Sequence, residues 1–117
     1  VTSAVTGCPP DIMGIGPISS TQKALERSGW NIDEVDIFEI NEAFSSQSIA
    51  VINELSIDYQ KVNIDGGAIS LGHPLGASGA RIVGKAASIL NRTNSERAVA
   101  TMCIGGGMGI TIALERP

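Results

Sequence analysis

Aromatic side chains are scarce in this chain: one Trp, one Tyr and two Phe among 117 residues. A core must therefore come from Ile, Val, Leu and Ala, with glycine allowing backbones to approach closely. Histidine occurs once, at His73, and cysteine twice, at Cys8 and Cys103. One imidazole with no cysteine at short ligand spacing does not make a zinc site. Two cysteines in a chain of this length read as free thiols of a reducing compartment, taken here as the cytoplasm, rather than as a disulfide scaffold. No apolar run approaches the roughly 18 residues of a membrane-spanning helix. Lys and Arg never cluster and the net charge is −4, which argues against a nucleic-acid surface, because phosphate neutralisation needs grouped cations.

What is present suits one α/β domain over residues 1–117, rich enough in apolar residues to bury a core. The chain opens on Val1-Thr2-Ser3-Ala4-Val5-Thr6, with neither an initiator Met nor the basic and apolar regions of a leader. It reads as a strand entered midway, and the chain is expected to be a piece of a longer protein.

The residue pattern predicts eight elements. Residues 1–6 are β-branched and suit a strand. Pro and Gly crowd residues 7–17 into a loop, Pro17 opens a helix and Gly29 closes it. A short strand over 36–40 is followed by a helix over 43–55, with Phe44, Ile49, Ala50, Ile52 and Leu55 as its apolar residues. Residues 62–64 suggest another short strand, ending in Asp65-Gly66-Gly67. A helix over 76–91 carries Ala80, Val83, Ala87 and Leu90 at helical spacing, and its small apolar character predicts burial on more than one side. Strands over 98–104 and 109–114 flank the turn Gly105-Gly106-Gly107. The order β-α-β-α-β-α-β-β predicts a mixed sheet with helices on both faces.

Three short motifs carry candidate chemistry. Asn41, in Asn41-Glu42-Ala43-Phe44, falls where a strand gives way to a helix, at the strand end where α/β sheets collect ligands. Capping the helix is the structural alternative for it. His73 lies between Gly72 and Pro74, and an ordinary imidazole can exchange a proton near neutrality or donate to an oxyanion. Its alternative is a loop histidine held by the backbone. Cys103 ends an apolar strand immediately before three glycines, whose uncovered N–H groups can form an oxyanion hole. A buried cysteine acting as a small hydrophobe is the competing reading. The glycine run lacks the Gly-Lys-Ser/Thr of a phosphate loop.

Taken in order, these blocks resemble the C-terminal half of the thiolase family, acetyl-CoA acetyltransferases and 3-ketoacyl-CoA thiolases. The resemblance rests on Met13-Gly14-Ile15-Gly16-Pro17, Asn41-Glu42-Ala43-Phe44, Asn63-Ile64-Asp65-Gly66-Gly67, Gly72-His73-Pro74-Leu75-Gly76-Ala77-Ser78-Gly79 and Cys103-Ile104-Gly105-Gly106-Gly107-Met108-Gly109. It implies a thiolase-like fold and a Claisen condensation of two acetyl-CoA, or of acyl-CoA with acetyl-CoA, together with the reverse thiolysis. Coenzyme A is then a substrate, with no covalently bound cofactor and no metal. The resemblance gives His73 the activation of a nucleophilic cysteine and donation to the thioester oxygen. It gives Asn41 a water in the same oxyanion hole, Cys103 the α-proton, and Gly105 an N–H of a second oxyanion hole. Met13, Ala43 and Phe44 match residues lining the pantetheine and acyl end of the pocket.

In the family the nucleophilic cysteine lies on the N-terminal half, and Cys8, in its Pro-rich loop, does not match that context. The resemblance therefore implies a partner domain, an inactive chain when alone, and assembly as dimers or tetramers. The helix from Gly76 would then expose apolar surface without its partner. Ser45 and Ser46 replace residues often Ala in the family, a change expected to be silent. Acetoacetyl-CoA is the expected substrate. Cys103 is expected to need only a modest downward pKa shift to act as base. A non-catalytic acyl-CoA-binding or dimerisation module and a Cys-His hydrolase are the competing readings.

Overall fold

The computed structural model describes residues 1–117. Four strands, β1 (Thr2–Gly7), β2 (Ile37–Ile40), β3 (Arg97–Ile104) and β4 (Met108–Glu115), form one sheet in the order β1-β4-β3-β2. β2 runs parallel to β3, whereas β3–β4 and β4–β1 are antiparallel. The parallel pair needs a crossover, which α2 (Ser45–Glu54), α3 (Ala68–Leu71) and α4 (Ser78–Thr93) supply, while α1 (Gly16–Ser28) links β1 to β2. The mixed sheet with helices on both faces is as the sequence predicts.

Strand alternation decides which helix meets which side chains. Phe38, Ile40 and Val99 point to one face, where Leu25 of α1 and Val51 and Ile52 of α2 cover them. Ile37, Ala98 and Ala100 point to the other, against Ile82, Ala86, Ile89 and Leu90 of α4. Burying each large aliphatic side chain or phenyl ring contributes about 1.5–3 kcal/mol, so aliphatic packing on both faces compensates for the missing aromatics.

α1 starts at a backbone-to-backbone contact. A Cβ on Gly16 would fall on the Met108 carbonyl, and one on Gly109 would fall on the Gly16 carbonyl. The two glycines thus let α1 sit directly on β4 beside the cysteine-bearing end of the sheet. At its other end Gly29, at φ +71°, closes the helix as expected.

Several expectations are corrected. Residues 10–15 form a 3-10 turn rather than plain loop. Residues 62–64 are not a strand; only Val62 bridges Phe38. The reason is Asn63, which adopts φ +45°: its N–H donates to the Phe38 carbonyl at 2.8 Å, and its side chain takes the next step, with Oδ1 accepting from the Ile40 N–H and Nδ2 donating to the Ile40 carbonyl, both at 2.9 Å. The edge of β2 is closed by one carboxamide. α3 has no counterpart in the sequence pattern. In α2, Val51, Ile52 and Leu55 are buried, whereas Phe44, Ile49 and Ala50 are exposed.

α4 begins two residues later than expected, and its buried stripe is Ser78, Ile82, Ala86, Ile89 and Leu90. Within this chain the helix is covered by the sheet on one side, and its other faces, with Ala80, Gly84 and Ala87, are exposed. Of the expected set only Leu90 lies on the sheet-facing stripe, which Ile82 and Ile89 mark with larger side chains.

Candidate active site

The carboxyl ends of β2 and β3 lie side by side, since the two strands are parallel neighbours. Asn41 follows β2 immediately and Cys103 lies near the end of β3, so topology alone brings both to one rim. The Asn41 N–H donates to the Thr101 carbonyl at 2.9 Å and extends the ladder by one step. α2 begins only at Ser45, after Phe44. Asn41 is therefore not the helix cap. Its side chain is fully buried and turns the other way, with Nδ2 3.3 Å from His73 Nε2. Asn41 Oδ1 is buried with no partner.

His73 reaches this point through a fastened loop. Glu42 accepts from Asn63 Nδ2 at 2.8 Å and from the Ile69 N–H at 2.9 Å, clamping both sides of the Asp65-Gly66-Gly67 turn. The one-turn α3 ends at Gly72, whose φ of +94° swings the chain back toward β2. Pro74 then gives its carbonyl to the N–H groups of Ala77 and Ser78, both at 2.9 Å, leading into α4. Ser78, fully buried at the start of α4, lies 2.6 Å from His73 Nδ1. Both ring nitrogens are thus engaged.

Cys103 is buried at 6% exposure, pointing to the α1 side of the sheet. Burial pushes its thiol up from the ordinary value, partly offset by its own backbone N–H, and Cys8 adds a further upward push. This is opposite to the modest downward shift expected from sequence, because no cation lies beside the sulfur. Beyond it, Gly105 to Gly107 turn back into β4 with Gly106 and Gly107 at φ near +90°. The Gly105 N–H makes no hydrogen bond within the chain.

Six of the seven predicted site residues, Met13, Ala43, Phe44, His73, Cys103 and Gly105, line one open cavity of about 450 Å³. The seventh, Asn41, sits behind His73. Leu75, Met102 and Ile104 complete the wall and were missed, as were Ser78, Glu42 and Asn63. Ser78 had a readable signal, a hydroxyl five positions past His73 across a proline-led helix start. A second hollow of about 300 Å³ between α4 and the sheet, lined by Ile82, Met102, Ile110 and Ile112 among others, holds no ionisable group.

Residues 1–116 match the family model described as thiolase, C-terminal domain. The chain belongs to the thiolase family. It is 51% identical over 114 residues to an acetyl-CoA acetyltransferase of Chromobacterium violaceum, covering 97% of this chain and 29% of that protein. It is likewise 51% identical over 117 residues to a 3-ketoacyl-CoA thiolase of Aliivibrio salmonicida, covering 97% of this chain and 30% of that one. Among solved structures, human mitochondrial 3-ketoacyl-CoA thiolase in complex with CoA superposes with a TM-score of 0.98 at 44% identity, over 100% of this chain and 30% of that one. This thiolase chain thus spans about three tenths of the length of its relatives. No helix in it is long and apolar enough to cross a membrane.

β2 carries one further buried carboxyl group. Glu39 of β2 is 1% exposed and neither carboxylate oxygen has a partner. Burial pushes its pKa up to about 7 against the pull of Arg81 and Lys85, with Asp65 and Glu42 pushing the same way as burial. Arg81 Nε and Nη1 are also buried without partners. Ser45 and Ser46, the departures noted in the sequence, are exposed at the start of α2.

Proposed function

We propose that this chain supplies the acid–base half of a thiolase active site, acting on acyl-CoA thioesters by Claisen condensation and thiolysis. The observation that carries the reading is the convergence of a thiol, an imidazole and an unpaired glycine N–H on one cavity, with a buried carboxamide behind the imidazole. Acetoacetyl-CoA is the proposed substrate and coenzyme A the product or co-substrate, in keeping with a human thiolase structure that holds CoA.

In this reading the rest of the protein contributes the nucleophilic cysteine. His73 Nε2 takes the proton of that thiol, which attacks the acyl-CoA carbonyl, and CoA leaves with a proton. Cys103 removes the α-proton of the incoming acetyl-CoA, or returns it in thiolysis. The enolate oxygen that develops needs aimed donors, and the Gly105 N–H is one. A water on Asn41 Oδ1 would satisfy that buried oxygen and supply a second donor toward the thioester oxygen. The raised pKa of Cys103 fits this role: the thiol gives its proton to the departing CoA thiolate during acylation, and the Cys103 thiolate so formed, balanced by the His73 imidazolium, then removes the α-proton. Met13, Ala43 and Phe44 give the pantetheine and acyl groups an apolar wall. Dimeric or tetrameric assembly of the complete protein and a cytoplasmic site of action belong to the same proposal.

The test is acetoacetyl-CoA thiolysis by this chain alone and after adding the complementary N-terminal portion. The reading expects silence alone and turnover on addition. Turnover by the chain alone would overturn it and make Cys103 the nucleophile.

A further inference from the structure

The contacts of both His73 ring nitrogens are met when the ring hydrogen sits on Nδ1. Asn41 Nδ2 is a donor, so the nitrogen it faces at 3.3 Å, His73 Nε2, accepts and is bare. A neutral ring then carries its hydrogen on Nδ1, which donates to Ser78 Oγ at 2.6 Å. That hydroxyl, in turn, donates to the Pro74 carbonyl at 3.1 Å. Moving the hydrogen to Nε2 takes the Ser78 hydroxyl away from Pro74 and requires the Asn41 carboxamide to turn Oδ1 toward the ring.

We propose that Ser78 is a positioning residue that fixes His73 as the Nδ1–H tautomer, leaving Nε2, beside Asn41, without a hydrogen and able to act as a base. The proposal rests on the thiolase reading for its chemistry and on geometry alone for the tautomer. The first act of His73 is acceptance: a thiol proton moves to Nε2, the sulfur keeps the electron pair, and the ring becomes an imidazolium. Its second N–H already points at Ser78 Oγ, so no rotation is needed to hold the new charge. When Nε2 returns the proton, the ring relaxes to its starting tautomer.

Ser78 is suited to this because it is fully buried and anchored at a helix start, where its own N–H is already given to Pro74. A hydroxyl there can accept from the ring with no water competing. Without it Nδ1 would face a dry gap, and either nitrogen could carry the hydrogen. In the wrong tautomer His73 cannot accept at Nε2 at all.

Joint neutron and X-ray crystallography of the intact enzyme without substrate tests the assignment directly. At a pH of about 8.5, where an ordinary imidazole is neutral, a deuteron on Nδ1 and none on Nε2 is expected. A deuteron on Nε2 would overturn the proposal while leaving the thiolase reading untouched. Failure of the intact enzyme to transfer any acyl group would do the reverse. Ser78→Ala is expected to slow acyl transfer to the nucleophile about 10- to 100-fold with KM nearly unchanged, within the range that acid–base catalysis supplies. Ser78→Thr, which keeps the hydroxyl, is expected to stay within a few-fold of wild type. Equal rates for the Ala and wild-type enzymes would also count against it.

Discussion

Two polar clusters sit on the same sheet, and they behave differently. Under α1, Thr111 hydrogen-bonds Ser20 at 2.7 Å, Thr21 at 3.2 Å and Thr101 at 2.7 Å, and Thr101 also donates to the Ile110 carbonyl at 3.0 Å. All four side chains are at most 1% exposed. The Thr111 hydroxyl uses its whole capacity of one donor and two acceptors, so nothing is left for a ligand. At the rim of β2 and β3, Asn41 Oδ1 and the Gly105 N–H are unmet, and Glu39 of β2 holds two unpartnered oxygens. Buried polar groups that close on themselves are structural; those left open beside a cavity have a task elsewhere.

The largest effect is expected at the open cluster. Cys103→Ala in the intact enzyme should lower condensation about 10²- to 10⁴-fold while acetylation of the nucleophile remains detectable by mass spectrometry. Loss of both together would mean that Cys103 is not the base and would dissolve the contrast.

Next comes Glu39. Its pKa is raised in the fold from 4.5 to about 7, so the folded protein binds a proton that the unfolded chain releases. The stability this group confers is complete below about pH 4.5 and is lost as pH rises to about 7, on the order of 3 kcal/mol across that window. Glu39→Gln should remove that slope in denaturation series run from pH 4.5 to 8. An unchanged slope would show that Glu39 is ionised and paired at neutral pH.

The closed cluster should respond in stability and not in chemistry. Thr111→Val leaves three buried hydroxyls to re-pair among themselves and is expected to cost about 2 kcal/mol in chemical denaturation. Acyl transfer should be unaffected at temperatures where the variant is folded. A large drop in turnover would tie the two clusters together. Smallest is Asn63→Ala, which opens the edge of β2 and should cost about 1–2 kcal/mol; a neutral result would mean that water replaces the carboxamide there.

Much of this was legible in sequence, for identifiable reasons. Gly29, Pro17 and the apolar runs flanking Gly105-Gly106-Gly107 are local signals, and each marked its element. Asn41, His73 and Cys103 were legible because each stands next to a proline, a glycine or a strand end, whereas Met13, Ala43, Phe44 and the choice of Gly105 within the glycine run entered only through the family resemblance. Most of what escaped depends on distant partners. Asn63 closes a strand edge with its side chain, which no β-propensity records. The sheet-facing side of α4 was marked by Ile82 and Ile89, which the expected stripe of Ala80, Val83, Ala87 and Leu90 left out. Ser78 acquires its meaning only once Pro74 folds it back onto His73. The direction of the Cys103 shift follows from how deeply the β3 end is covered, a property of packing on α1 and the 3-10 turn.

The central claim is that this chain holds the base and another part of the protein holds the nucleophile. Its most direct test is to expose the intact enzyme to acetyl-CoA, quench, and map the acetyl group by peptide mass spectrometry. The account predicts the acetyl adduct outside residues 1–117, with Cys103 and Cys8 unmodified. An acetyl thioester on Cys103 would contradict it.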